Sequence, residues 1–386
     1  MADNSSVQPN ASTEFLEFYN TARIVTGLTV YPIVCLFGLV GNTLILSVLT
    51  KKSFASSTDI YLGALAISDM AKLLNDFLYF VTCLLMETNP SAGNKSYAHL
   101  YPYAHFVFNA SVCVSSWLTV SVSVERYILV CHPTKSKTMT SVSRSKAISL
   151  AVCVVMSLVA LPSALRYKTV EVGSHHSGDD RTMMASNDTS LEVELTALFK
   201  NETFARAYNW LQSLLRSIIP LGILVVTSCF ITNALWKTRA NKKMASRNRI
   251  TLMLTVVVLF FIVCILPDAV MSALYLGYTE SDSFLVRGIR EITDTLLAVN
   301  AAVNFILYIV FNRRFKTSFE RQFCTACIRS SAAVNSDPTV VGTPSAIQSG
   351  GLYQRMIGAR KNAAATAAVG SRRKVTPPPE IKESVV

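Results

Sequence analysis

Apolar residues in this chain gather into long runs, without the strict alternation of strands or the one-faced stripe of soluble helices. About 20 mostly apolar residues in helix cross a bilayer core of roughly 30 Å. Seven such stretches are predicted, at approximately 24–49, 59–85, 101–130, 146–165, 205–236, 250–275 and 284–311. The fourth is the cleanest, with no charge from Ile148 to Leu165. The second is the least clean, because Asp69, Lys72 and Asp76 interrupt it. The fold class expected is an all-α membrane protein, a seven-transmembrane helix bundle. After the last span, Phe315, Phe319 and Phe323 recur at helical spacing and predict a short amphipathic eighth helix on the membrane surface.

Composition agrees with membrane burial. Charged residues are only 16% of the 386, against roughly a quarter in a soluble globular chain, too few to cover a water-facing surface. That excludes an ordinary cytosolic enzyme, and the 51% apolar content excludes a disordered chain or a fibrous repeat. A net charge of +12 would by itself suit nucleic acid, but the basic residues sit in the connections after odd-numbered spans and beyond the seventh. They are Lys51 and Lys52, then Lys135, Lys137 and Arg144, a basic run over 237–249, and Arg313, Arg314 and Lys316. Such connections face the cytosol and its lipid headgroups. The expectation is a multi-pass plasma-membrane protein with its N-terminus extracellular and no nucleic-acid partner. The connection 167–204 fits an outer loop, with seven acidic side chains against Lys168, Arg181 and Lys200. Asn4, Asn10, Asn94, Asn187 and Asn201 open glycosylation sequons in segments assigned outside, whereas the Asn109 sequon falls inside span three.

The expected organisation is an extracellular tail over 1–23, the bundle over 24–311, the amphipathic helix over 312–327 and a disordered cytoplasmic tail over 328–386. Residues 1–19 hold no apolar core of a cleavable signal peptide, so span one is expected to serve as the anchor. The tail is rich in Ala, Ser, Pro, Gly and Lys. It ends Ser384-Val385-Val386, a hydroxyl two positions before an apolar carboxylate, the kind of end that PDZ domains capture. Of nine cysteines, none lies in 167–204, so no disulfide framework is read. Cys324 and Cys327 are candidates for palmitoylation beside the amphipathic helix, or plain cytosolic thiols.

Ionisable side chains at membrane depth are costly and mark candidate functional positions. Asp69 is one. In span three Ser116, Thr119, Ser123 and Arg126 recur every three or four residues and form one polar stripe, which makes this the expected central helix. Asn300 and Asn304 share a face of span seven. Each of these is either functional or interhelical glue. Together with them, Gly41-Asn42, Leu65-Ala66-x-x-Asp69, Glu125-Arg126-Tyr127, Pro220, Cys264-x-x-Pro267 and Asn304-x-x-x-Tyr308 resemble the rhodopsin-like G-protein-coupled receptors, in six spans and in order. Trp117-Leu118-Thr119-Val120, His132-Pro133, Leu161-Pro162 and Asn304-Phe305 are most similar to the invertebrate FMRFamide-type neuropeptide receptors.

The resemblance implies a switch worked by Glu125, Arg126, Tyr127, Asn304, Tyr308, Phe261 and Pro267, with heterotrimeric G proteins, arrestin and receptor kinases as partners. Glu125 would hold the Arg126 guanidinium until activation, when Arg126 would meet the carbonyl end of a G-protein helix. Asn42, Asp69, Asn300 and Asn304 would surround a sodium ion or waters; no other cofactor and no metal is expected. Pro220 and Pro267 remove backbone hydrogen bonds and supply kinks.

The chain also departs from the family. The usual disulfide between span three and the second outer loop has no counterpart, with Tyr101 near the expected cysteine. Ile265 replaces the span-six tryptophan and Phe305 the span-seven proline. Phe108 stands where amine receptors carry an aspartate, which disfavours small amines. A short, amidated, arginine-containing peptide is expected instead, its guanidinium meeting Asp268 or Asp294. Arg216, Asp76, His105, Trp210 and Tyr275 complete the candidate ligand set. The alternative is that these charges neutralise one another, Lys72 with Asp76 and Arg216 with Asp268. No catalytic motif points to an enzyme and no internal repeat to a transporter. A constitutively active or chemosensory receptor of the same fold is the rival reading.

Overall fold

The computed structural model describes residues 11–51, 56–172, 190–238, 245–274 and 283–324. Helix α1 (Ala11–Arg23) runs through a π turn (Ile24–Val30) into α2 (Tyr31–Leu49), and together they make span one. Spans two and three are α3 (Ser57–Thr88) and α4 (Pro90–Cys131), followed by a short α5 (Pro133–Met139). Span four is α6 (Val142–Ala160), closed by a 3₁₀ turn that holds Pro162. Strands β1 (Tyr167–Val172) and β2 (Ser190–Leu195) and a one-turn α7 (Ala197–Lys200) come next. Span five is α8 (Glu202–Ser213), a π turn (Leu214–Ile218) and α9 (Ile219–Thr238). Then come α10 (Ala245–Leu274), α11 (Phe284–Phe311) and α12 (Arg313–Phe319).

Six of the described helical stretches are long and apolar enough to cross a membrane. The seventh, α3, is long enough but carries Asp69, Lys72 and Asp76, all buried inside the bundle. The chain is thus a multi-pass membrane protein. Helix α4 is central, packed by α3, α6, α9 and α10. Its most apolar window is 72% buried, whereas that of α6 is 22% buried and leaves Leu150, Val154 and Leu158 for lipid. Ser116, Thr119 and Ser123 are buried on α4, as a polar stripe in an apolar solvent must be.

The π turns of spans one and five have one cause. Tyr31 N–H reaches back five residues to the Thr26 carbonyl, and Ile219 N–H to that of Leu214. Each lies one residue before a proline, Pro32 and Pro220, whose missing N–H and ring disrupt the preceding α-helical ladder. The turn in span five brings the neighbours Arg216 and Ser217 inward together, both buried.

Two expectations are revised. The segment before residue 24 is not simply a tail: α1 is helical and packs against α11. Tyr19 and Phe284 hold their rings 6.1 Å apart. Gly288 makes this possible, because a Cβ there would come within 2.5 Å of the Phe18 ring. Gly288→Val is expected to displace α1 and expose it to limited proteolysis, without unfolding the bundle. Unchanged cleavage kinetics would remove Gly288 from this role. The second revision concerns 167–204, which is not simply an irregular loop. Its ends pair antiparallel from Tyr167 opposite Leu195 to Val172 opposite Ser190, so among the described residues the helical bundle carries a two-stranded hairpin.

Candidate functional site

A cavity of about 1000 Å³ opens at the hairpin end of the bundle. Its aromatic wall comes from Tyr19 and Tyr31 of span one, Tyr79 of α3, and Tyr101, His105 and Phe108 of α4. Its acids are Asp76, Glu192, Glu291 and Asp294, and its cations Lys95, Arg166, Arg287 and Arg290. Glu291 and Asp294 lie three residues apart on α11 and so share a face. Tyr79 Oη stands 3.5 Å from Glu291 Oε1, and Arg290 Nε 3.8 Å from Asp294 Oδ2. Apolar rings with a few charged groups of both signs suit an amphipathic ligand larger than an amine.

The hairpin roofs the cavity with Tyr167, Leu191, Glu192 and Val193. Aromatic stacking holds it where the family would place a disulfide. The Tyr101 ring centroid lies 4.7 Å from Tyr97 and 4.9 Å from Tyr167, and His105 meets Tyr167 edge-on at 5.4 Å. Thr169 Oγ1 donates to the Ala98 carbonyl at 2.6 Å. At the hairpin's base Arg166 lies over the Tyr167 and Phe199 rings and donates to Asn209 Oδ1 at 2.9 Å. The alternating pattern of Tyr167-Lys168-Thr169-Val170 and Leu191-Glu192-Val193-Glu194 was the signal for the strands.

Of the ligand residues expected from sequence, Asp76, His105, Phe108 and Asp294 line the cavity. Asp268 does not. It is 1% exposed, accepting from Arg216 Nη2 at 2.7 Å and from Ser217 Oγ at 2.5 Å. Arg216 also donates to Asn109 Oδ1 and Ser272 Oγ, each at 3.3 Å. This is the mutual neutralisation that the sequence left open, and it removes Asp268 as a ready partner for a ligand cation. Arg216 lines instead an adjoining polar chamber of about 40 Å³. Trp210 is half-buried on α8 and lines neither space, and Tyr275 lies outside the described residues. Glu291, Arg166 and Tyr19 belong to the wall as well; Tyr19 was hidden by reading 1–23 as a tail.

Deeper in the bundle Asp69 is 1% exposed. Ser115 Oγ donates to its Oδ1 at 3.0 Å and Asn304 Nδ2 to its Oδ2 at 2.7 Å, joining spans two, three and seven. Asn42 Nδ2 donates to the Gly38 and Ala301 carbonyls, at 2.9 and 3.0 Å, and ties span one to span seven. Asn300 is buried on the same helix as Asn304. Phe261 and Ile265 pack with Val112, Val120, Leu224 and Leu297 in one apolar cluster, and Pro267 lies inside the same helix, α10.

At the opposite end, the Glu125 carboxylate accepts from the hydroxyls of Ser57 and Thr58, and Arg126 donates to the same Thr58 hydroxyl. The expected Glu125–Arg126 contact is therefore relayed through Thr58, at the start of α3. Tyr127 Oη lies 3.2 Å from His132 Nε2. Tyr308 and Phe305 meet Phe315 at ring-centroid distances of 5.8 and 6.3 Å, and Phe315 is 1% exposed, which anchors α12 to span seven. Cys324 ends a π turn after α12, but its side chain and all of Cys327 lie outside the described residues. So do Asn4, Asn10, Asn187 and Ser384–Val386. Asn94 is exposed on α4 at the cavity wall, and Asn201 caps α8 by accepting from Thr203 and Phe204.

The family model described as 7 transmembrane receptor (rhodopsin family) matches residues 41–308. The chain is 27% identical over 298 residues to the FMRFamide receptor of Drosophila melanogaster, which covers 74% of this chain and 52% of that one. It thus spans about half of that relative's length. It is 26% identical to the sex peptide receptor of the same fly, covering 76% of this chain and 71% of that receptor. To the somatostatin receptor type 4 of Rattus norvegicus it is also 26% identical, with coverages of 80% and 75%.

Proposed function

Because this chain belongs to the rhodopsin family of seven-transmembrane receptors, we propose that it is a receptor for a short, amidated neuropeptide and activates heterotrimeric G proteins. The hairpin end faces the exterior at the plasma membrane, and the Arg126 end meets the G protein and, on the same surface, receptor kinases and arrestin. The cavity is the observation that carries this reading: about 1000 Å³, ringed by tyrosines, with Glu291 and Asp294 on one helix face and arginines beside them. That volume is at the upper end of small-molecule sites and takes a few peptide residues. With Asp268 closed by Arg216, the ligand guanidinium is assigned to Asp294 and Glu291. Relatives named as FMRFamide, sex peptide and somatostatin receptors support a peptide ligand. Agonist acts only through its higher affinity for the active arrangement.

The test is nucleotide exchange on G proteins in membranes holding the chain, challenged with short peptides in amidated and free-acid forms. An amidated arginine-containing peptide is expected to stimulate, and the double variant Glu291→Gln, Asp294→Asn to lower its potency by about 10–100-fold at unchanged surface expression. One or two charge-assisted hydrogen bonds supply that much. High exchange without ligand and no responding peptide would favour the constitutive or chemosensory receptor instead.

A further inference from the structure

The family resemblance raises a sodium ion at Asp69, but both carboxylate oxygens there already accept from protein donors. The buried Asn42 Oδ1 and Ser116 Oγ, by contrast, have no hydrogen-bond partner among the described residues. A hard cation such as sodium is held by oxygen ligands. Here Asn304 presents its amide nitrogen to one Asp69 oxygen, at 2.7 Å, while the Ser115 hydroxyl donates to the other at 3.0 Å. Asn42 likewise turns its nitrogen to backbone carbonyls. A cation is nevertheless built in. Lys72 follows Asp69 by three residues on α3, hence on the same face, and is 3% exposed. Its Nζ lies 2.5 Å from Asp76 Oδ2 and 5.2 Å from the Phe108 ring centroid. Asp76 and Phe108 are cavity-wall residues, while Lys72 itself does not line the cavity. Lys72 therefore stands behind the wall, three residues along α3 from Asp69, with its ammonium turned to Asp76.

A mobile cation entering from the cavity would pass this fixed positive charge and displace donors already seated on Asp69. We propose that Lys72 is the resident counter-ion of the polar interior and takes the place of sodium, so that this receptor's stability and basal activity do not respond to sodium specifically. The inference is independent of the ligand the cavity takes, because its test adds none.

The full-length chain, purified in detergent, is melted in 150 mM sodium chloride and in 150 mM N-methyl-D-glucamine chloride, two media of equal ionic strength. The expected Tm values agree within about 1 °C. Lys72→Met combined with Asp76→Asn removes the ammonium without stranding its partner. That pair is expected to gain a sodium-specific rise of about 2–4 °C, lost again on adding Asp69→Asn; the size follows from a site bound at tens of millimolar. A sodium-specific rise in the unaltered chain that Asp69→Asn abolishes overturns the proposal, and this arm depends on no Lys72 variant folding. A folded double variant without any sodium response also overturns it. Basal nucleotide exchange of the unaltered chain in the same two salts is a second reading: equal rates support the proposal, and slower exchange in sodium contradicts it.

Discussion

Arg216→Met is expected to cost the folded receptor about 3–5 kcal/mol, the penalty for stranding one member of a buried ion pair. Asp268, 1% exposed, would keep only the Ser217 hydroxyl, at 2.5 Å, after losing the guanidinium at 2.7 Å. Asn109 and Ser272 would each lose an Arg216 donor as well. At roughly 2–4 °C per kcal/mol for a chain of 150–250 residues, and somewhat less for a longer one, Tm should fall by about 10 °C. Arg216→Met with Asp268→Leu should recover most of that loss, because an apolar pair of similar volume replaces two desolvated charges. Thermal melts of the purified parent and the two variants make the comparison. If Arg216→Met alone melts within 2 °C of the parent, the pair does not hold spans five and six together. The same melts separate structure from ligand contact. A residue that held agonist directly would lower potency in the double variant, whereas one that holds the bundle is rescued there.

That pair marks where the sequence could be read and where it could not. The spans follow from length and apolar content, and Asp69 and Asn304 come together because each faces inward from its own helix. The span-three donor, however, is Ser115, which the expected stripe of Ser116, Thr119 and Ser123 left out. Helical spacing also places Lys72 against Asp76, one turn apart. Arg216 is different. Counting one turn past Pro220 places Arg216 inward, as found, but it sits in the π turn over Leu214–Ile218, which adds a residue's worth of rotation and brings Ser217 in beside it. The sequence named Arg216 and Asp268 as partners or as ligand contacts and could not choose, since the choice depends on that rotation. Residues 11–23 were misread for a related reason. Their polar composition suits a tail, and only the notch at Gly288 on a distant helix gives Phe18 a seat.

The hairpin's attachment should resist reduction and fail when the stack is broken. Receptors of this family that tether the second outer loop by a disulfide should lose binding in dithiothreitol; this one is expected to lose none, since the roof is held by rings and hydrogen bonds. Tyr101 stands at the centre, touching Tyr97 at 4.7 Å, Tyr167 at 4.9 Å and His105 at 6.2 Å. Of these three pairs only Tyr101–Tyr167 crosses from α4 to the roof, and an aromatic pair is worth about 0.5–1.5 kcal/mol beyond its area, so Tyr101→Ala forfeits about that much of roof attachment. Tyr101→Phe keeps the rings and should behave as the parent. Because Tyr167, Leu191 and Val193 line the cavity, a loosened roof should appear as faster agonist dissociation, by about 2- to 10-fold at 1.4 kcal/mol per factor of ten. Association should change little, as interface changes act mostly on the off-rate. A bound peptide leaving Tyr101→Ala no faster than the parent would show that the strands, not the rings, hold the lid. Loss of binding in dithiothreitol would overturn this attachment, since no cysteine lies in 167–204.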